Sequence, residues 1–99
     1  MKTNILFLRS GNNGKLANFI QKKMRPLIEK YDWLIKANVV IKNEKDQASK
    51  GKICEIELSV PGPRIFASSE NESYEAAVAD TISVLERQLQ KRKATFNAH

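Results

Sequence analysis

The sequence has few of the residues that build disulfides, metal centres and most catalytic sites. It contains one cysteine, Cys54, and one histidine, His99, which is the last of 99 residues. A single cysteine excludes an internal disulfide and favours a reducing compartment. No His/Cys cluster has metal-ligand spacing, and a frayed terminus does not hold a general base in place. We therefore expect no catalytic constellation, no metal and no cofactor.

Long apolar runs are also missing. The apolar segment at residues 5–8 is too short for a signal peptide and is followed at once by Arg9. No stretch approaches the roughly 20 apolar residues that a membrane-spanning helix needs. We expect a cytosolic protein that takes neither a membrane nor a small-molecule substrate as its partner.

Positive charge, by contrast, is abundant. Lysine and arginine number 17 against 11 acidic residues, which gives a net charge of +6. Hydrophobic residues make up 41% of the chain, enough to build a core, and the length suits one domain over residues 1–99. This balance favours a nucleic acid or another anionic surface as the partner.

The last third of the chain predicts one long amphipathic helix over residues 75–93. Its apolar residues recur at three- and four-residue spacing and form one stripe: Ala77, Val78, Thr81, Ile82, Leu85 and Leu89. Ser73 is placed to cap its first turn. The last two turns are strongly basic, and Arg87 and Lys91 lie almost opposite Leu85.

The rest of the chain predicts one further helix and four strands. Strands are expected at 1–9, 33–44, 52–60 and 64–69, with a polar connection at 43–51 and a hairpin turn at 61–63. Helical spacing runs from Lys15 to about Lys30, where Pro26 predicts a kink or an irregular last turn. A polar cap region is expected at 69–73. The predicted order is β-α-β-β-β-α.

This order indicates an α+β fold, a four-stranded sheet with both helices packed on one face. The alternation in the third strand then buries Cys54, Ile56, Leu58 and Val60 and leaves Glu55 and Glu57 in solvent. We expect an acidic sheet side and a basic helix side, so that a polyanion would bind to the helices.

Seven basic residues are the candidate RNA-binding set: Lys22, Lys23, Arg25, Arg87, Lys91, Arg92 and Lys93. Cations at a helix C-terminus also stabilise the helix itself through its dipole. This effect could explain one or two of the four basic residues at the end of the last helix, but it does not explain a second basic helix. Lys15 and Lys30 are interpreted as solvated flanks. Lys23 borders the apolar stripe of the first helix, where its stem must run along the core edge.

The sequence also resembles a known family. The segment Leu85-Glu86-Arg87-Gln88-Leu89 with trailing lysines, Val39-Val40-Ile41-Lys42 and Ile65-Phe66-Ala67-Ser68 are similar to the short ribosome hibernation-promoting factors, also called ribosome-associated inhibitors or sigma modulation proteins. Pro26 stands where relatives often carry lysine. The resemblance implies a fold similar to double-stranded RNA-binding domains, with two parallel helices on the sheet.

The resemblance further implies a function without catalysis. Family members bind the small ribosomal subunit and its rRNA between head and body, overlap the mRNA and tRNA sites, and silence ribosomes under stress or in stationary phase. By position, it implies rRNA contacts for Lys23, Arg87, Lys91 and Lys93. We expect a monomer when free, without the C-terminal dimerisation domain of the long factors.

Three alternatives remain open from the residues. A general structured-RNA-binding protein of the same fold would bind plain RNA duplexes as well as ribosomes. An enzyme of acylphosphatase type would need a strand after the last helix. A protein-interaction domain would use the strand face, where Phe66 is expected beside Glu55 and Glu57.

Overall fold

The computed structural model describes residues 1–11, 13–44 and 51–96. Their elements follow the predicted order: β1 (Lys2–Leu8), α1 (Gly14–Lys30), β2 (Lys36–Asn43), β3 (Lys52–Ser59), β4 (Ile65–Asn71) and α2 (Tyr74–Phe96). The predicted fold class and element order are confirmed. Most of the connection expected at 43–51 and the terminal His99 lie outside the described residues.

The four strands form one mixed sheet in the order β1-β2-β3-β4. β1 and β2 are parallel, because α1 connects them and returns the chain to the same end of the sheet. β2, β3 and β4 are antiparallel, and the predicted hairpin joins β3 to β4. α2 packs across β3 and β4 and also contacts α1.

The core lies between one face of the sheet and the two helices. From α1 it takes Leu16, Ile20, Met24 and Leu27, and from α2 it takes Ala77, Val78, Thr81, Leu85 and Leu89. The sheet supplies alternate residues, including Cys54, Ile56 and Leu58, each 0% exposed. The predicted strand alternation is therefore confirmed, because a period of 3.6 or 2 determines which side chains share a face. The α2 stripe is confirmed except at Ile82, which is only partly buried.

Helix boundaries follow local capping. The Asn13 side chain accepts a hydrogen bond from the Leu16 N–H at 3.1 Å and begins α1. The Ser73 hydroxyl accepts from the Ala76 N–H at 3.1 Å, as expected for the cap of α2. α1 continues through Pro26 to Lys30, so the expected irregular last turn is not observed.

One strand is longer than its composition suggests. The strand was expected to end at Ser69, with residues 70–71 in a polar cap region, yet these two residues extend β4, and Asn71 pairs with Lys52. The local sequence Ser-Ser-Glu-Asn has little strand preference, but the backbone groups of β3 offer this segment a complete hydrogen-bond ladder. The prediction failed because the pairing is non-local.

The expectation of an acidic sheet face is wrong. Glu55 lies 3.0 Å from the ammonium of Lys42, and Glu57 lies 3.5 Å from the guanidinium of Arg64. Lys2 and Lys36 are register partners at one end of the same face. Cross-strand ion pairs therefore balance the charge of the sheet, while Phe66 is exposed beside Glu57 as expected.

The C-terminal end of α2 packs back on the domain. The ring of Phe96 meets the ring of Trp33 edge-on at a centroid distance of 5.0 Å, and Trp33 in turn meets Tyr31 at 5.6 Å. Tyr31 is fully buried. This row of aromatic rings fixes the basic end of α2 against the segment that follows α1.

Candidate nucleic-acid interface

A groove separates α1 from α2 on the surface that faces away from the sheet. It has a volume of about 480 Å³ and an apolar floor of Pro26, Leu27 and Ile82. Lys23 stands on the α1 wall, and Arg87 and Ser83 stand on the α2 wall. Two of the seven candidate residues, one from each helix, are thus brought to one surface feature.

Lys23 and Arg87 are both exposed, and neither has a hydrogen-bond or ion-pair partner in the part of the chain that the structure describes. The Lys23 ammonium lies over the ring of Phe19, 5.5 Å from its centroid. This contact orients the lysine without neutralising it. Both side chains are therefore free to meet an external anion.

Lys30 differs from these residues although it lines the same groove. Its ammonium donates to Oε1 of Glu86 across the groove at 2.8 Å, and Gln90 donates to the same oxygen at 3.4 Å. The hydrogen bond with Glu86 raises the pKa of Lys30, so the Lys30 ammonium is charged at neutral pH. Lys30 joins the two helices and is not the simple solvated flank that the sequence suggested.

The remaining candidates on α1 face other directions. Lys22, Lys23 and Arg25 are all exposed. At about 100° per residue, Arg25 lies roughly 200° round the helix from Lys23 and Lys22 lies roughly 100° from it. These three residues therefore do not form one continuous patch, and only Lys23 lines the groove.

On α2, the basic cluster divides in a similar way. Lys91 follows Arg87 by one helical turn and extends the same exposed face, whereas Lys93 lies about 120° away from Arg87. Arg92 is only partly exposed, and its guanidinium donates to the carbonyl of Pro61 at 2.9 Å. Arg92 thus fastens α2 to the β3–β4 turn and is the least available of the seven candidates.

The five residues of the segment 85–89 divide between the core, contacts with neighbouring elements, and solvent. Leu85 and Leu89 are fully buried in the core. Gln88 donates to the carbonyl of Phe66 at 3.0 Å and fixes α2 to β4. With Glu86 joined to α1 by Lys30, Arg87 is the one charged residue of the segment directed to solvent without a partner among the described residues. The segment therefore presents a single cation from a firmly held helix.

Other site chemistries find little support in the part of the chain described. No cluster of three or more His, Cys, Asp or Glu side chains within 1–11, 13–44 and 51–96 could hold a metal ion. Burial raises the pKa of Cys54 to about 11, so its thiol is protonated and a poor nucleophile at neutral pH.

None of the described helices combines the length and hydrophobicity required to span a membrane.

Comparison with known proteins identifies the family. The family model described as sigma 54 modulation protein / S30EA ribosomal protein matches residues 12–97. The chain belongs to this family. The resemblance seen in the sequence is thereby confirmed, and the groove and its cations lie within the matched region.

Solved structures show the same fold. A ribosomal subunit interface protein from Coxiella burnetii aligns with a TM-score of 0.79 at 21% identity, covering 95% of this chain and 99% of that one. The N-terminal domain of Protein Y from Thermus thermophilus aligns with a TM-score of 0.75 at 22% identity, covering 92% and 98%. A search of curated proteins finds no significant match.

Proposed function

We propose that this protein is a ribosome hibernation factor. It binds the small ribosomal subunit in the channel used by mRNA and tRNA, contacts rRNA through its helices and inhibits translation under stress or in stationary phase. Membership of the family that includes S30EA ribosomal protein supports this role, and one protein of the same fold is described as a ribosomal subunit interface protein. The role requires no catalysis, and it implies a cytoplasmic location and a free monomer.

The observation that carries the proposal is a pair of cations on neighbouring helices that have no hydrogen-bond or ion-pair partner among the described residues. Lys23 and Arg87 stand on opposite walls of one groove, and Lys91 continues the exposed face of α2. Occupying an RNA-lined channel requires recognition of backbone and shape, and not a base code. A rigid surface with spaced cations meets that requirement, since phosphate contacts provide most of the affinity for RNA.

The test is co-sedimentation with ribosomes in a sucrose gradient at moderate salt. The charge-reversal variant is Lys23→Glu/Arg87→Glu. Its matched control is Lys2→Glu/Lys36→Glu, which makes the same change in net charge on the sheet face. Arg92 is left unchanged, because its bond to Pro61 would confound a loss of binding with a loss of stability.

The native protein and the sheet-face variant are expected to travel with the small subunit or the whole ribosome. The helix variant is expected to remain at the top of the gradient. Equal loss in both variants would mean that only net charge matters and would refute the assigned surface. If the native protein binds a plain RNA duplex as well as it binds ribosomes, the general RNA-binding alternative is favoured.

A further inference from the structure

The groove between α1 and α2 has features that phosphate binding alone does not use. Its floor is apolar and its volume, about 480 Å³, falls within the range of roughly 300–1,000 Å³ that is typical of small-ligand sites. A surface that only neutralised a phosphate backbone would need cations and no recess. The recess suggests that a flat group enters between the helices.

The charges around the groove indicate whether the base or the phosphate of a nucleotide enters it. The cations of Lys23 and Arg87 stand on opposite walls, where they attract phosphate, and neither has an ion-pair partner in the described part of the chain. Glu86 carries a carboxylate on the α2 wall, and this charge is already paired with Lys30. The apolar floor disfavours a phosphate inside the groove, because burying a phosphate there would remove its hydration, so the backbone stays outside and the base enters.

The groove also offers groups that bind a base. Planar stacking on the guanidinium of Arg87 and apolar contact with Pro26 and Ile82 suit an unstacked base. Oε1 of Glu86 accepts from Lys30 and Gln90, but Oε2 is enclosed and has no hydrogen-bond partner among the described residues. Because Oε1 is already engaged and Oε2 is enclosed, Glu86 offers an entering base no acceptor, so the groove would hold a base by stacking and apolar contact without selecting its identity.

We infer that the groove between α1 and α2 receives one unstacked base of an RNA strand, with the flanking phosphates bound by Lys23 and Arg87. This inference rests on the proposed RNA-binding function and adds a base-binding subsite to it. Stacking and apolar contact are available to every base, so all four bases are expected to enter the groove.

The probe is a set of labelled RNA hairpins, each with a single bulged nucleotide. Four hairpins carry A, C, G or U in the bulge, and a fifth carries an abasic residue that keeps the phosphate. Binding is measured by fluorescence anisotropy at one salt concentration. The native protein is expected to bind the A, C, G and U bulges roughly tenfold tighter than the abasic hairpin, the size of one base-stacking contact.

Ser83 provides the matched pair of variants, because it is exposed and lies on the groove wall. Ser83→Trp fills the groove without a change of charge, and tryptophan and serine have similar helix propensities. It is expected to bind all five hairpins as weakly as the native protein binds the abasic one. Ser83→Ala keeps the groove open and is expected to retain the preference. A thermal melt checks that both variants fold.

Equal binding of all five hairpins by the native protein would overturn the inference, as would a preference that survives in Ser83→Trp. Competition by free nucleoside monophosphates at micromolar concentration would also overturn it, because the occupant would then be a free nucleotide. The two proposals fail separately. Ribosome co-sedimentation without base preference removes the subsite alone, whereas base preference without co-sedimentation removes the ribosomal target alone.

Discussion

The salt dependence of binding provides a quantitative test of the interface. Lys23 and Arg87 are the two groove cations without partners among the described residues, so each is assigned one phosphate. If the helices neutralise about five to eight phosphates, log K should fall against log salt with a slope of roughly −4 to −7. Changing either residue to glutamine should flatten this slope by about 0.7 to 0.9.

The same argument gives the loss of affinity. Counterion release adds about 0.9 log units of affinity per phosphate contact for each tenfold decrease in salt. At roughly 0.1 M salt, the loss of one contact therefore reduces affinity by about eightfold. The double variant should lose about twice this in log units. Both side chains are exposed, so their replacement should change stability by no more than about 0.5 kcal/mol.

The assay titrates labelled protein with purified small ribosomal subunits at several salt concentrations and constant magnesium. Lys42→Gln is the control, because the Lys42 ammonium pairs with Glu55 at 3.0 Å on the opposite sheet face. Its slope should equal that of the native protein. A double variant with an unchanged slope, or a control that flattens as much, would refute the assignment of these two phosphate contacts.

Three further predictions concern an ion pair, a hydrogen bond and a buried thiol within the protein. Lys30→Met should weaken subunit binding by leaving the Glu86 carboxylate uncompensated, and Lys30→Met/Glu86→Gln should restore it, as measured by the same titration. Arg92→Gln should lower the free energy of unfolding in urea by about 0.5–1.5 kcal/mol through loss of the bond to Pro61, with less effect on binding than Arg87→Gln. Burial raises the pKa of Cys54 from 9.0 to about 11, so the unfolded state loses its proton first and stability should fall as pH rises between these values. Cys54→Ala should show a smaller alkaline loss of stability in urea melts.

Much of the fold was predictable because its signals are local or periodic. The stripe on α2 and the alternation in β3 identify the buried faces from spacing alone, and the Ser73 hydroxyl caps a helix that begins one residue later. The extension of β4 to Asn71 was not predictable in this way. It depends on pairing with Lys52, a residue in another strand.

The outward position of Arg87 on α2 was also contained in the sequence. Its spacing from Leu85 and Leu89 places it away from the core, and the positive net charge indicates a polyanionic partner. The family resemblance came partly from the same segment. Sequence alone therefore determined the element order and most of the buried positions, and it predicted a polyanionic partner.

Only the tertiary structure decided which cations are available. Lys23, Lys30 and Arg92 look alike in a one-dimensional pattern of basic residues. Lys30 is bound to a carboxylate 56 positions away and Arg92 to a carbonyl 31 positions away, whereas Lys23 has no such partner among the described residues. Ion pairs and hydrogen bonds act over a few ångströms in space, so no local pattern reveals them. The groove likewise exists only where two helices distant in sequence pack side by side.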